Sequence, residues 1–160
     1  SGLPELLHEF KRSVLDRGLV DYISLNDNEA RIISSVLCNH DLPQNYTADD
    51  ISKTARLISD RTGSRVDIHT GTISFSSQDR DVVSANCHRV LQKTVTGAGD
   101  VWEAADLMGY LTGLDTEDRL RFANAAAALY VSRESAATPT AQEILEFMEE
   151  EQKDEEISSH

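Results

Sequence analysis

A chain of 160 residues can close a core of domain size, and its formal charge of −13 argues against nucleic acid or an anionic membrane as partner, since both call for basic surface. No apolar stretch approaches the roughly 20 residues of a membrane span, and no signal-like segment opens the chain. Cys38 and Cys87 stand far apart without a CxxC or Cys/His cluster, and the histidines show no metal-ligand spacing. The expectation is a cytoplasmic protein with two reduced thiols.

Leu3, Leu6, Leu7, Phe10 and Val14 share one face, so residues 4–17 read as an amphipathic helix stopped at Gly18. Leu19 to Leu25 reads as a short buried strand that Asn26 ends, and Glu29 to Leu37 continues as helix. A loop around Pro43 leads to Thr47-Ala48-Asp49-Asp50, a capping pattern for a helix reaching about Thr62. Arg65 to Thr70 is the next strand, Gly71 a turn, and Ile73 to Ser77 the hairpin partner. Val82 to Val95 reads as a bent extended segment, followed by helices at 100–112, 116–132 and 140–152. The alternation predicts an α/β fold, a mostly parallel sheet flanked by helices, in one domain over 1–148, with 149–160 as an acidic tail. Ligands in such sheets sit at the carboxyl ends of strands, where Asn26 and Gly97 fall.

The chemistry concentrates in Thr96-Gly97-Ala98-Gly99-Asp100, because apolar residues recur at helical spacing directly after it, at Val101, Ala104, Ala105, Met108 and Leu111. Glycines at the mouth of a helix let a ligand approach first-turn amides that lack internal partners and carry the positive end of the dipole. A phosphate fits there. Asp100 adds a carboxylate beside that point, which a phosphate-binding site alone would not want. A site that must also deprotonate a hydroxyl while a phosphoryl group arrives would need it. The competing reading is a tight turn with Asp100 as helix cap.

This run, with Gly113-Leu114-Asp115-Thr116-Glu117-Asp118 and Phe122-Ala123-Asn124-Ala125-Ala126 after it, resembles the second signature of the ribokinase-like (PfkB) family of carbohydrate and nucleoside kinases. Leu25-Asn26-Asp27-Asn28-Glu29-Ala30 is similar to that family's Asn-x-x-Glu element. The resemblance covers the second half of such a kinase and implies ATP-dependent phosphoryl transfer to a sugar or sugar-like hydroxyl. It implies Asp100 as catalytic base and the Gly97, Ala98 and Gly99 amides as anion hole. It implies Glu29 as a magnesium-associated carboxylate acting through water, and Asn26, Gly71 and Asn124 as nucleotide-binding residues. ATP with Mg2+ and a sugar, sugar phosphate or nucleoside are the implied partners. An exposed sheet edge would predict self-association of a half-length chain. The bland readings are a strand-end turn for Asn26 and Glu29 and a tightly packed core helix for Asn124 to Ala128. Thr94 replaces a family aspartate tied to a monovalent-cation loop, Ala105 and Ser135 replace common glycines, and His69-Thr70-Gly71 matches the family's nucleotide loop poorly. The alternative function is a non-catalytic nucleotide-binding or interaction fragment, inactive without its N-terminal half.

Overall fold

The computed structural model describes residues 2–158, and the chain divides after Ser84, within a strand, into two compact units. In the first unit, α1 (Leu3–Ser13) starts on a proline at its first turn and runs into a 3₁₀ turn, Leu15–Arg17, which Gly18 closes at φ +62°. The predicted helix over 4–17 is therefore two pieces. Strand β1 (Tyr22–Asn26) follows and passes directly into α2 (Asp27–Cys38). That helix begins two residues before its predicted start, because Asn26 both ends the strand and caps the helix. Helix α3 (Ala48–Thr62) has the boundaries its capping pattern predicts: Thr47 and Asp50 cap it reciprocally, and Gly63 leaves it in the left-handed region at φ +72°.

Strands β2 (Arg65–His69), β3 (Ile73–Gln78) and β4 (Asp81–Asn86) complete a four-stranded sheet in the order β1-β2-β3-β4. The sheet is mixed. β1 and β2 are parallel, joined by the α2–α3 crossover, while β2 and β3 are antiparallel around the Gly71 turn. The bent segment expected over 82–95 is instead strand to Asn86 and irregular afterwards. Its hairpin turn, Asp79-Arg80, places both residues at positive φ (52° and 74°), a two-residue geometry that matches strand twist and usually takes glycine or asparagine.

Register explains where the first core lies. Ile23, Leu25, Val66, Ile68 and Phe75 fall on one face of the sheet and pack against Ala30 of α2 and Ile51, Ala55 and Ile58 of α3. Full burial of an isoleucine such as Ile58 or Ile68 stabilises by about 1.5–3 kcal/mol. The alternate positions, Arg65, Asp67, Ser74 and Ser76, are polar and buried, with the Arg65 guanidinium 4.1 Å over the Tyr22 ring.

The second unit is built on α4 (Ala98–Thr112) and α5 (Thr116–Ser132), joined at Gly113 (φ +82°) and Asp115, whose carboxylate caps α5. Small residues let the two helices close up: a Cβ on Gly109 would come within 3.1 Å of Arg119 Cγ. Into that interface α4 sends Asp106 and α5 sends Arg119, a fully buried salt bridge. Helix α6 (Ala141–Ser158) starts on a Thr140–Glu143 capping box and carries Arg133 on Glu143 at 2.6 Å. Hydrogen bonds from the Thr140 backbone and hydroxyl hold the Glu143 carboxyl below its usual range. The helix runs past the predicted end at 152, consistent with the good helix propensity of its glutamates. Among the described residues, no helix is long and apolar enough to cross a membrane.

Removing one partner of a buried pair leaves the other charge uncompensated. Asp106→Ala should therefore lower stability by about 3–5 kcal/mol. Denaturant unfolding would register this as a fall in midpoint. A change under about 0.5 kcal/mol, the range of ordinary surface substitutions, would show that the pair does not hold the helices together.

Candidate active site

The glycine corner is held from behind by the last turn of α5. Lys93 and Thr94 donate their backbone N–H groups to Val131 O at 2.7 and 3.1 Å, and the Thr94 hydroxyl donates to Arg133 O at 3.1 Å. Two residues further on, the Thr96 carbonyl accepts from the buried Tyr130 hydroxyl at 2.8 Å. Gly97 then turns the chain at φ +91° and serves as N-cap of α4, so the helix starts at Ala98 rather than at Asp100.

The amides of the expected anion hole differ in how they are engaged. The Ala98 N–H donates to Val95 O at 3.2 Å and is already engaged. Among the described residues, the N–H groups of Gly97, Gly99 and Asp100 have no backbone acceptor, and the first intrahelical bond runs from Val101 N to Gly97 O at 3.1 Å. The donors without a backbone acceptor among the described residues are thus Gly97, Gly99 and Asp100.

Asp100 occupies the first turn of α4, exposed, and its carboxylate has no hydrogen-bond or ion-pair partner among the described residues. It does not cap the helix. The competing structural reading of this aspartate therefore lacks the bond it requires.

The other expected residues divide differently. Asn26 Oδ1 accepts the Glu29 N–H at 3.0 Å, and the Asn26 N–H donates to Glu29 Oε2 at 2.8 Å, a complete capping box. Glu29 is exposed, and its second oxygen, Oε1, has no partner among the described residues. Gly71 lies in the exposed β2–β3 turn, where Thr70 Oγ1 accepts from the Thr72 and Ile73 amides. Asn124 lies inside the second unit, with its side chain fully hydrogen-bonded. It is 2% exposed, its Oδ1 accepts the Trp102 indole N–H at 2.8 Å, and its amide donates to Ala85 O and Asn86 O, both at 3.1 Å. That carboxamide is spent tying α4, α5 and the end of β4 together.

Burial pushes the Cys87 thiol up to about 11, so it stays protonated at neutral pH. Burial likewise raises Cys38, with the Arg61 charge opposing it. Among the described residues, no group of three or more His, Cys, Asp or Glu side chains could hold a metal.

The fold and this corner define a class that known proteins share. A ribokinase from Thermotoga maritima superposes with a TM-score of 0.69 at 22% identity, covering 82% of this chain and 43% of its own. Phosphofructokinase-2 from Escherichia coli superposes at 0.66 with 20% identity, over 79% of this chain and 40% of its own. These likenesses establish the ribokinase fold. By sequence, residues 3–143 match the pfkB family carbohydrate kinase model, and the chain belongs to that family. A 5-dehydro-2-deoxygluconokinase from Bacillus subtilis is 27% identical over 132 residues, and a ribokinase from Haemophilus influenzae 30% over 139. The matches cover 80% and 82% of this chain, which spans about two fifths of each relative's length (41% and 42%).

A Cβ at Gly97 would sit 2.8 Å from Tyr130 Oη and would also meet the penalty for a left-handed side-chain residue, roughly 1–2 kcal/mol. With overpacking of about 1–3 kcal/mol added, Gly97→Ala should lower the thermal midpoint by several degrees. A midpoint equal to that of the wild type would show that the corner is soft.

Proposed function

We propose that this chain is the nucleotide-binding and catalytic half of an ATP-dependent kinase acting on a carbohydrate hydroxyl. The observation that carries the reading is the juxtaposition at the start of α4: open amides at Gly97, Gly99 and Asp100, beside an exposed and unpartnered Asp100 carboxylate. Phosphoryl transfer needs few covalent contributions from the protein, so positioning and charge stabilisation dominate. The acceptor hydroxyl gives its proton to Asp100, its oxygen bonds to the γ-phosphorus, and the bond to the β-phosphate oxygen breaks to release ADP. The corner amides take the charge on the migrating phosphoryl oxygens, where one preorganised donor is typically worth about 10²–10³ in rate.

Glu29 and Asn26 support the nucleotide side of this reading. The capping box uses one Glu29 oxygen and leaves the other to meet a water of magnesium-ATP. Magnesium keeps several waters and needs few protein ligands, which fits a single carboxylate and the absence of a three-ligand cluster among the described residues. The ion would supply positive charge to offset that of the nucleotide phosphates, with Glu29 holding it through water. Gly71, in an open turn, would lie along the nucleotide.

A second reading has one fact in its favour: the chain spans about two fifths of its curated relatives' length. It would then bind nucleotide without turning over. Calorimetric titration with ATP, with and without magnesium, followed by a sugar and nucleoside panel, separates the two. Binding without turnover supports the fragment, whereas absence of nucleotide binding sinks both.

In a catalytically competent form, Asp100→Asn should cut turnover by about 10²–10⁴-fold while leaving magnesium-ATP affinity nearly unchanged. A steady-state rate matching the wild type would remove Asp100 from the mechanism.

A further inference from the structure

We infer that Tyr130 is a positioning residue for the phosphoryl-binding corner: its buried hydroxyl aims the Gly97 N–H at the anion. The inference rests on the reading of the corner given above and adds a residue that the corner's own motif does not contain.

The argument starts from the peptide plane. In a trans peptide the carbonyl of one residue and the N–H of the next lie in one plane and point in opposite directions. No cis peptide occurs among the described residues. The Tyr130 hydroxyl donates to Thr96 O at 2.8 Å, from a side chain only 5% exposed, so the Thr96 carbonyl is held toward α5. The Gly97 N–H, in the same plane, is thereby turned away from α5. Fixing one end of the peptide sets the direction of the other.

A second contact makes the arrangement one-sided. Tyr130 Oη lies 2.8 Å from where a Gly97 Cβ would stand, with the ring carbons Cζ and Cε1 at 3.5 and 3.8 Å. The tyrosine therefore occupies the space behind the corner and excludes any residue larger than glycine at 97. It also opposes a flip of the Thr96–Gly97 peptide, which would leave the buried hydroxyl without its acceptor. An unsatisfied buried polar group costs more than a hydrogen bond contributes, so the aimed state is favoured before any ligand arrives.

The neighbouring tethers do different work. Lys93 and Thr94 fasten the approach to the corner through Val131 O, and the Thr94 hydroxyl reaches Arg133 O. None of them touches the Thr96–Gly97 peptide. Thr94→Val thus removes a nearby hydroxyl of comparable structural weight without releasing the aimed amide, which makes it the control.

The test uses the chain itself, with ¹⁵N-labelled protein titrated with magnesium-ATP and the backbone amide signals of Gly97, Gly99 and Asp100 followed by NMR. In the wild type these three signals should move in concert. In Tyr130→Phe the apparent dissociation constant read at Gly97 should rise roughly threefold to tenfold, the worth of one oriented hydrogen bond. Thr94→Val should match the wild type. A wild-type measurement guards against a variant that folds badly: the Gly97 N–H should exchange rapidly with water while the Ala98 N–H, bonded to Val95 O, is protected. Three results overturn the inference with the corner left intact: Tyr130→Phe binding like the wild type, Thr94→Val weakening binding equally, or a protected Gly97 amide. If none of the wild-type signals responds to nucleotide, the phosphoryl-binding reading itself fails and takes this inference with it.

Discussion

The contact between α4 and α5 governs everything the second unit does. Gly109 lets the two helices approach closely, and Trp102, Leu120 and Phe122 are buried on them beside a run of alanines. Polar ties supply the direction. The buried Asp106–Arg119 salt bridge fixes how α4 is rotated against α5, and the Asn124 carboxamide holds the Trp102 indole on one side and the end of β4 on the other. Because Asp100 lies less than two turns before Asp106 on the same helix, whatever sets the rotation of α4 sets the heading of that carboxylate. Fold and chemistry here share one set of contacts.

The corner extends the same logic to the backbone. A helix N-terminus offers open amides wherever it occurs, and by itself that means little. Here the α5 end reaches across to hold the preceding residues through Val131, Arg133 and Tyr130, so the amides are presented on a stiff support. Stiffness matters for charge stabilisation, since donors that are already oriented cost nothing to reorganise when the charge develops. The capping box at Asn26 and Glu29 is a comparable device in the first unit, where side chain and backbone satisfy one another reciprocally.

How far the sequence carried is clearest residue by residue. Helix α3 was legible because Thr47 and Asp50 form a local capping signal whose meaning does not depend on the rest of the chain. The α4 start was misplaced by two residues because its N-cap is a glycine, which has no side chain to announce the role. The second hairpin was missed because Asp79-Arg80 takes a left-handed turn without the glycine that usually marks one. The partners of Asn124 were illegible for a different reason: its bonds to Trp102, Ala85 and Asn86 are tertiary contacts with no local signal. The Asp106–Arg119 pair left a trace that could have been used, since an acid at 106 interrupts the stripe Val101, Trp102, Ala105 and Gly109. A charge on a buried stripe asks for a partner. Tyr130 left only its place at the end of an alanine run, and nothing local ties it to Thr96.

The Trp102–Asn124 bond also decides what optical spectroscopy of this protein reports. Trp102 is the chain's single tryptophan, 2% exposed, and it lies wholly within the second unit. Excitation at the red edge of the indole band therefore interrogates the α4–α5 interior and is blind to the first unit, whose chromophores include Tyr22, Tyr46 and Phe75. Melting curves taken by indole emission and by far-ultraviolet circular dichroism thus need not coincide, and any gap between them measures how independently the two units lose their structure.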